Sequence, residues 1–366
     1  MNTKHALIDC REFSPGRKTG ISRFLEGLLD ASAAAFSEVP FLLACFSEDA
    51  VPTKLREKEN IQVIKVPNGF LRSEKALSEL SKHGAQLFLS PYPKLPLFGC
   101  QCAALHVIHD VLDLTHPAYP QRFKAYFDSF RLKRALKKAD LTWYVSSWSL
   151  EETRKYAGYI GKNPKVRHNG IAEIFAPTKE RNEESILEKY RVEPGYVLVI
   201  GNGLPHKNLG TILEVANQLG RELVFVGISS ENQKHWRSRY PRAKAVWMSH
   251  VTEQDLPAII RAAFCLAQPS TAEGYGYPPL EAMACGVPAV VSDIPVLIET
   301  TGSCAMAADP YDASSWMEAI NALTNQFLYE KQVEKGLKWV EPLMGRSAWQ
   351  GHILDIKDLL ELMYMT

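Results

Sequence analysis

Short apolar runs alternate with amphipathic stretches along the first half of the chain. A brief apolar run between turn residues is typical of a buried parallel strand, whereas apolar positions three or four residues apart indicate a helix. Alternating strands and helices predict a parallel sheet with right-handed crossovers. The apolar runs, with one amphipathic stretch after the first, occupy residues 6–9, 21–36, 41–46, 61–66, 85–90, 103–110 and 142–146.

The second half repeats this alternation, so the sequence predicts an α/β protein with two Rossmann-like domains. A charged, proline-flanked stretch, 177–194, follows the turn His168-Asn169-Gly170 and marks the boundary. The domains are predicted at 1–177 and 178–348, with a last helix at 349–364 that braces the first domain. The second-half segments are 196–201, 209–219, 222–227, 244–248, 256–263, 264–269 and 289–292.

Length and composition are those of a soluble globular protein. The chain has 366 residues, of which 46% are hydrophobic and 23% charged, and this length suits two domains. The amino terminus lacks an apolar core of signal-peptide length, and no run reaches the roughly 20 apolar residues that span a bilayer. We therefore expect a cytoplasmic protein. Seven scattered cysteines indicate reduced thiols and argue against structural zinc.

The charge is unevenly distributed. Residues 1–170 hold 25 Lys and Arg against 17 Asp and Glu, a net charge of +8, so the remaining residues carry −7 within a total of +1. A basic first half suits an anionic partner, such as a phosphate-bearing substrate or a membrane surface. Opposite charges could equally help two domains to meet.

A glycine-rich segment with two glutamates follows one second-half strand. Glu273 and Glu281 are separated by seven residues, and a helix is predicted at 279–285. Ligands bind at the carboxyl ends of strands in open parallel sheets, and Gly274 and Gly276 let the backbone approach an anion at a helix amino end. The two glutamates therefore have separate tasks. The alternative is a turn with two solvated glutamates.

A second loop carries a lysine before a predicted helix. Pro205-His206-Lys207-Asn208 follows Gly201-Asn202-Gly203, which lacks the later glycine and the acidic residue of an NAD site. Lysine on a glycine-containing loop at a helix start is suited to neutralising a diphosphate. Together, the two loops predict a nucleotide-diphosphate site on one sheet.

These segments resemble retaining glycosyltransferases of family 4, also described as group 1 glycosyltransferases. The resemblance covers nearly the whole chain and implies the GT-B fold, in which two Rossmann-like domains face across a cleft. The glutamate motif is highly specific, and the other segments are moderately so. They are 269–288, with the glutamate motif; 201–209, like the phosphate loop; 19–23, like the first glycine loop; 109–110, like the histidine motif; and 145–149 and 169–171.

The resemblance implies a role for each residue of the glutamate motif. Glu281 would accept hydrogen bonds from the nucleotide ribose, and Glu273 would lie against the donor sugar. Backbone N–H groups of Gly274, Tyr275 and Gly276 would hold sugar hydroxyls or the β-phosphate. Whether Glu273 acts as nucleophile, as base or as neither is left open.

The resemblance also assigns residues outside that motif. Lys207 would neutralise the departing diphosphate, Gly20 would let the first loop close on it, and His109 would reach towards the transferred sugar. His109, too, could be nucleophile, base or neither, and same-face attack assisted by the leaving phosphate is the working hypothesis. The other nucleotide-sugar contacts are Gly203, His206 and Asn208.

One departure from the family concerns charge. Many relatives place an arginine near the loop lysine, where this chain has Asn202 and His206. The charge of the diphosphate would then be neutralised mainly by Lys207, or also by Arg23 or Arg17 of the first domain. No Asp-x-Asp occurs, so we predict a metal-independent enzyme without a cofactor, although Mg²⁺ held only by phosphates stays possible.

A basic aromatic helix is predicted at 121–138. It could rest on an anionic membrane that carries a lipid-linked acceptor, but a core helix with a solvated basic face is at least as common. No nucleic-acid-binding module is present.

The resemblance thus implies a retaining hexosyltransferase, with mannose or rhamnose favoured. It would use a nucleotide-sugar donor and a glycan or lipid-linked acceptor in bacterial surface polysaccharide assembly. The alternative is a non-catalytic sugar-nucleotide-binding homologue or an assembly scaffold. A phosphorylase would need a pyridoxal-binding lysine motif, which the sequence lacks.

Overall fold

A computed structural model describes residues 4–16, 18–119, 123–179 and 182–362. The chain divides into two compact units. The first contains the residues up to Gly170 and those from Gly345 onwards, and the second is Ile171–Met344. The division lies a few residues before the predicted boundaries at 177 and 348. The reason is that the backbone N–H of Ile171 donates to the carbonyl of Leu343 at 2.7 Å, which ties the two ends of the second unit together.

The first unit contains a seven-stranded sheet in which every pairing is parallel. Its strand order is β3-β2-β1-β4-β5-β6-β7. The strands are β1 His5–Asp9, β2 Phe41–Cys45, β3 Ile61–Lys65, β4 Ala85–Ser90, β5 Ala103–Ile108, β6 Leu141–Tyr144 and β7 Pro164–Val166. The helices between them are α1 Gly20–Ala35, α2 Thr53–Arg56, α3 Phe70–Leu80, α4 Leu112–Thr115, α5 Phe123–Lys138 and α6 Ser147–Ala157.

The second unit contains a six-stranded parallel sheet with the order β10-β9-β8-β11-β12-β13. Its strands are β8 Val197–Ile200, β9 Leu223–Val226, β10 Ala245–Met248, β11 Cys265–Gln268, β12 Ala289–Ser292 and β13 Met306–Ala308. Its helices are α7 Glu183–Tyr190, α8 Leu209–Glu214, α9 Ser230–Arg239, α10 Leu256–Arg261, α11 Tyr277–Ala284, α12 Pro295–Thr301, α13 Ala313–Ala322 and α14 Gln326–Val340. The predicted α/β class with two Rossmann-like domains is confirmed.

The last helix, α15 Gln350–Leu362, belongs to the first unit. Its buried Asp355 accepts hydrogen bonds from the indole N–H of Trp143 at 2.8 Å, from Lys165 Nζ at 2.6 Å and from Arg167 Nε at 2.9 Å. Because all three donors lie on or just after β6 and β7, this carboxylate fixes α15 to that part of the sheet.

Three differences from the sequence pattern have local causes. The helix predicted at 209–219 ends at Glu214, and the next residues form turns whose apolar side chains stay buried, so the apolar spacing continues past the helix. Strands β7 and β13 were missed because each is only three residues long and has at most one buried residue. Arg17 and residues 121–122 and 363–364 lie outside the described residues.

Each sheet reverses its strand order at one point, which is where open α/β sheets bind ligands. The reversal lies between β1 and β4 in the first unit and between β8 and β11 in the second. Both predicted second-unit loops follow strands at such a point. No helix in the described ranges is both long and apolar enough to cross a membrane.

Candidate active site

The phosphate-type loop runs from the end of β8 to the start of α8. Residues Pro205–Lys207 form a short 3₁₀ turn. Gly203 before it has a φ of +72°, and a Cβ there would lie 3.1 Å from Ile228 Cγ2. Only glycine fits both constraints without strain, so this position shapes the loop.

Lys207 from this loop meets Glu273 from the loop after β11. Lys207 Nζ lies 2.6 Å from Glu273 Oε1, and the two side chains are only 15% and 10% exposed. The parallel pairing of β8 with β11 brings these two carboxyl ends side by side. The fold therefore joins two residues that are 66 positions apart in the sequence.

Glu273 is held by three donors on one oxygen. Besides Lys207, the Gln268 amide and the Ser270 hydroxyl both donate to Oε1 at 2.7 Å. Burial raises the pKa of the Glu273 carboxyl, but the Lys207 ammonium and the hydrogen bonds from Lys207 and Ser270 outweigh it and bring the pKa below its ordinary value. The group is therefore a fixed carboxylate, and no donor from the described residues reaches Oε2.

The two loops are also tied through their backbones. The Asn208 side-chain amide donates to the carbonyls of Pro269 at 3.0 Å and Pro310 at 2.6 Å. The carbonyl of His206 accepts from the N–H of Thr271 at 2.8 Å. Asn208 and His206, both predicted to contact the nucleotide sugar, thus hold the site together as well.

The turn after Glu273 leads into α11. Gly276 is the N-cap residue with a φ of +88°, and a Cβ there would lie 2.6 Å from Leu297 Cδ2. Pro278 and Pro279 in the first turn have no N–H groups, so the donors predicted for Gly274–Gly276 matter more. Gly274 and Tyr275 are buried in this turn, and Glu281 is buried further along α11.

His109 and Gly20 belong to the first unit. His109 follows β5 and packs edge-on against Phe24 with ring centroids 5.1 Å apart. Burial lowers its pKa to about 4, and a hydrogen bond with the Pro91 backbone opposes this only in part. His109 is therefore neutral at pH 7. Gly20 is an exposed residue at the start of α1, behind the N-cap Thr19.

Gln268 and Ser270 are functional candidates that the sequence prediction missed. A polar signal was present, because Gln268 ends an otherwise apolar strand and Ser270 stands two residues later. Their contacts with the Glu273 carboxylate became visible only in the fold.

A cavity of about 550 Å³ lies nearby, at the carboxyl ends of β12 and β13. Asp293 and Asp309 line it together with Pro310, whose carbonyl accepts from Asn208. Two carboxylates make this cavity unfavourable for a diphosphate. In the second unit, the Lys207 side of the site is the better place for phosphates.

Comparison with known proteins identifies the second unit. Residues 180–339 match the family model described as "Glycosyl transferases group 1". This segment is a group 1 glycosyltransferase domain. The match includes Lys207, Glu273 and Glu281.

Curated relatives extend the similarity. The chain is 29% identical to O-antigen chain mannosyltransferase B of Escherichia coli over 62% of this chain and 61% of that protein. It is 28% identical to O-antigen chain mannosyltransferase RfbU of Salmonella typhimurium over 67% of each chain. The chain thus spans less than two thirds of the length of the Escherichia coli relative.

A solved structure has the same fold as this chain. Anabaena HepE in complex with UDP-glucose superposes with a TM-score of 0.77 and 16% identity, covering 97% of this chain and 99% of that chain. At this identity the likeness shows the fold alone. Together with the two parallel sheets, it confirms the predicted GT-B fold.

Proposed function

We propose that this chain is a retaining hexosyltransferase of bacterial surface polysaccharide assembly. It transfers mannose, or alternatively rhamnose, from a nucleotide-diphosphate sugar to a glycan or lipid-linked acceptor. The observation that carries the proposal is the Lys207–Glu273 pair at the sheet reversal point of a group 1 glycosyltransferase domain. The similarity to two O-antigen mannosyltransferases favours mannose.

Lys207 is suited to stabilising the leaving group. Breaking the bond between the sugar and the nucleotide leaves a nucleoside diphosphate, whose growing negative charge is the main obstacle to reaction. The Lys207 ammonium is mostly buried, so its charge is weakly screened by water. A phosphate oxygen that bound Lys207 would share the ammonium with Glu273.

Glu273 is better suited to holding the sugar than to donating a proton. Its lowered pKa keeps it ionised, and three donors reduce the nucleophilic character of Oε1. Oε2 can accept hydrogen bonds from sugar hydroxyls. We therefore propose that the acceptor proton passes to the departing phosphate during same-face attack. Neutral His109 is proposed to lie near the transferred sugar.

Donor hydrolysis by the purified protein tests the site. We expect slow hydrolysis of the correct nucleotide sugar and its loss in Glu273→Ala. Unaltered turnover in that variant would overturn the site assignment. A protein that binds the sugar nucleotide without any turnover would instead be a binding homologue or scaffold. NMR of the glycoside product reports whether the anomeric configuration is retained.

The donor is identified by thermal shift. A ligand that binds only the folded protein raises its melting temperature. A panel of GDP, UDP, TDP and ADP and their sugars should give one clear stabiliser. Loss of that shift in Glu281→Ala would support Glu281 as the ribose contact.

We further propose that no metal is needed, because Lys207 and the amino end of α11 supply positive charge at the diphosphate. Full activity in EDTA is the expected result.

The acceptor side is proposed to lie against an anionic membrane through an aromatic patch of the first unit. This patch consists of the exposed side chains Phe70, Leu71, Tyr126, Phe127 and Phe130.

A further inference from the structure

The reversal point of the first sheet also carries charged side chains, and most of them are paired. Arg11 binds the Asp9 carboxylate through two nitrogens, at 2.8 and 2.7 Å, and lies 3.1 Å from Glu74. Arg131 binds the other oxygen of Glu74 at 2.8 Å. These two arginines and two carboxylates neutralise one another.

Lys94, on the loop after β4, differs from these groups. It is half-buried, and its ammonium lies 4.5 Å from the centre of the Tyr92 ring. No carboxylate of the described residues pairs with it, whereas the neighbouring arginines are both paired. Burial and the nearby Arg131 guanidinium hold the pKa of Lys94 below its ordinary value. A half-buried cation without a counter-ion favours an anionic ligand.

The loop that carries Lys94 is fixed from both ends. The backbone N–H of Leu97 donates to Glu74 Oε2 at 2.9 Å, and Arg134 donates to the carbonyl of Pro96 at 3.1 Å. Before Lys94, the Tyr92 hydroxyl donates to Glu12 at 3.0 Å. Glu12 is thereby engaged by the hydroxyl donors of Thr19 and Tyr92, and among the described residues it forms no salt bridge with Lys94.

We propose that Lys94 binds a phosphoryl group carried by the acceptor, at the carboxyl ends of β1 and β4. The inference rests on the proposed transfer to an acceptor and deepens it: the acceptor is a phosphate-bearing glycoside rather than a neutral glycan. The position of Lys94 fits this role, because ligands bind at sheet reversal points. The charge of the region fits as well, because residues 1–170 carry a net charge of +8.

Pyrophosphate binding to the full chain tests the site by stoichiometry. Inorganic pyrophosphate should bind wild type at two sites, Lys94→Met at one and Lys207→Ala at one. Two sites retained in Lys94→Met would overturn the proposal. A single wild-type site that is lost only in Lys207→Ala would also overturn it while leaving the donor site intact. A single wild-type site that is lost only in Lys94→Met would support the proposal for Lys94. It would instead contradict the binding of the donor diphosphate by Lys207.

Acceptor kinetics provide the second test. A water-soluble short-chain glycosyl diphosphate should show a KM raised roughly 10- to 100-fold in Lys94→Met, as expected for one lost charge-assisted contact. Donor hydrolysis should not change, Lys94→Arg should recover part of the loss, and the exposed Lys82→Met is the matched control. An unchanged KM in Lys94→Met would overturn the proposal. So would an effect confined to binding of anionic phospholipid vesicles, because the phosphate would then be a headgroup.

Discussion

The two sheets of this protein place charged side chains at the same topological point but use them differently. In the first unit, Asp9 and Glu74 are fully engaged by arginines and form a rigid support. In the second unit, the donors that reach Glu273 from the described residues all bind Oε1, and one of them is a lysine. The fold thus determines where polar groups gather, and their pairing decides whether they support structure or meet a ligand.

The largest expected effect comes from the second unit. Lys207→Met should reduce donor hydrolysis roughly 10²–10³-fold, because a preorganised charge on the leaving group is lost. Adding Glu273→Gln should recover thermal stability without recovering activity, since the unpaired buried carboxylate is removed. Melting temperature and turnover measured on both variants check this. Activity restored in the double variant would contradict the role of Lys207.

In the first unit, removing one partner of a buried charged pair should lower the stability of the fold. Glu74 is 1% exposed and paired with two arginines, so Glu74→Ala should lower the free energy of unfolding by about 3–5 kcal/mol. Denaturant unfolding is the measurement, and the exposed Glu79→Ala serves as control. An unaltered midpoint would mean that the paired cluster is not a support.

Acid should also distinguish the units. Burial lowers the pKa of His106 and His352 to about 3 and of His109 to about 4, and all three belong to the first unit. Because the folded-state values lie below the unfolded value of about 6.5, the unfolded chain binds more protons between these limits. Stability is therefore full above about pH 6.5 and falls as the pH drops towards 3.

Unfolding midpoints measured from pH 7 to pH 4 test this prediction. His352→Phe should flatten the dependence, because neither ring nitrogen of His352 has a hydrogen-bond partner among the described residues. The exposed His250→Phe should leave the slope as it is. An equal change of slope in both variants would contradict the assignment.

The smallest expected effect concerns the aromatic patch of the first unit. Tyr126 and Phe130 are 76% and 57% exposed, and basic residues flank them on α5. The double variant Tyr126→Ser, Phe130→Ser should weaken binding to anionic vesicles roughly tenfold, by lost apolar burial. The more exposed pair Tyr311→Ser, Phe327→Ser in the second unit is the control. Equal losses in a co-sedimentation assay would argue against a specific membrane face.

Much of the fold could be predicted from local pattern. Strands such as β4 and β11 are nearly continuous apolar runs, and turn residues mark their ends. The apolar pattern gave a wrong prediction where buried residues are not helical, as in the apolar turns after Glu214. It also failed at β7 and β13, which are too short to show a period.

The candidate site was only partly visible in the sequence. The glutamate motif and the loop lysine could be recognised from residue type and spacing. Gln268, Ser270 and Lys94 could not, because a glutamine, a serine or a lysine at a strand end is ordinary. Their significance depends on which neighbours the sheet order brings to them.

The sequence by itself determined the alternation of strands and helices, the two-domain organisation and the residue types at the glycine-rich loops. Hydrophobic period and turn chemistry act over a few residues, so they can be read locally. Tertiary structure alone decided that Lys207 meets Glu273, that three donors share one carboxylate oxygen and that Lys94 has no counter-ion within the described part of the chain. These features depend on distances between residues remote in sequence, and the parallel pairing of β8 with β11 and of β1 with β4 sets those distances.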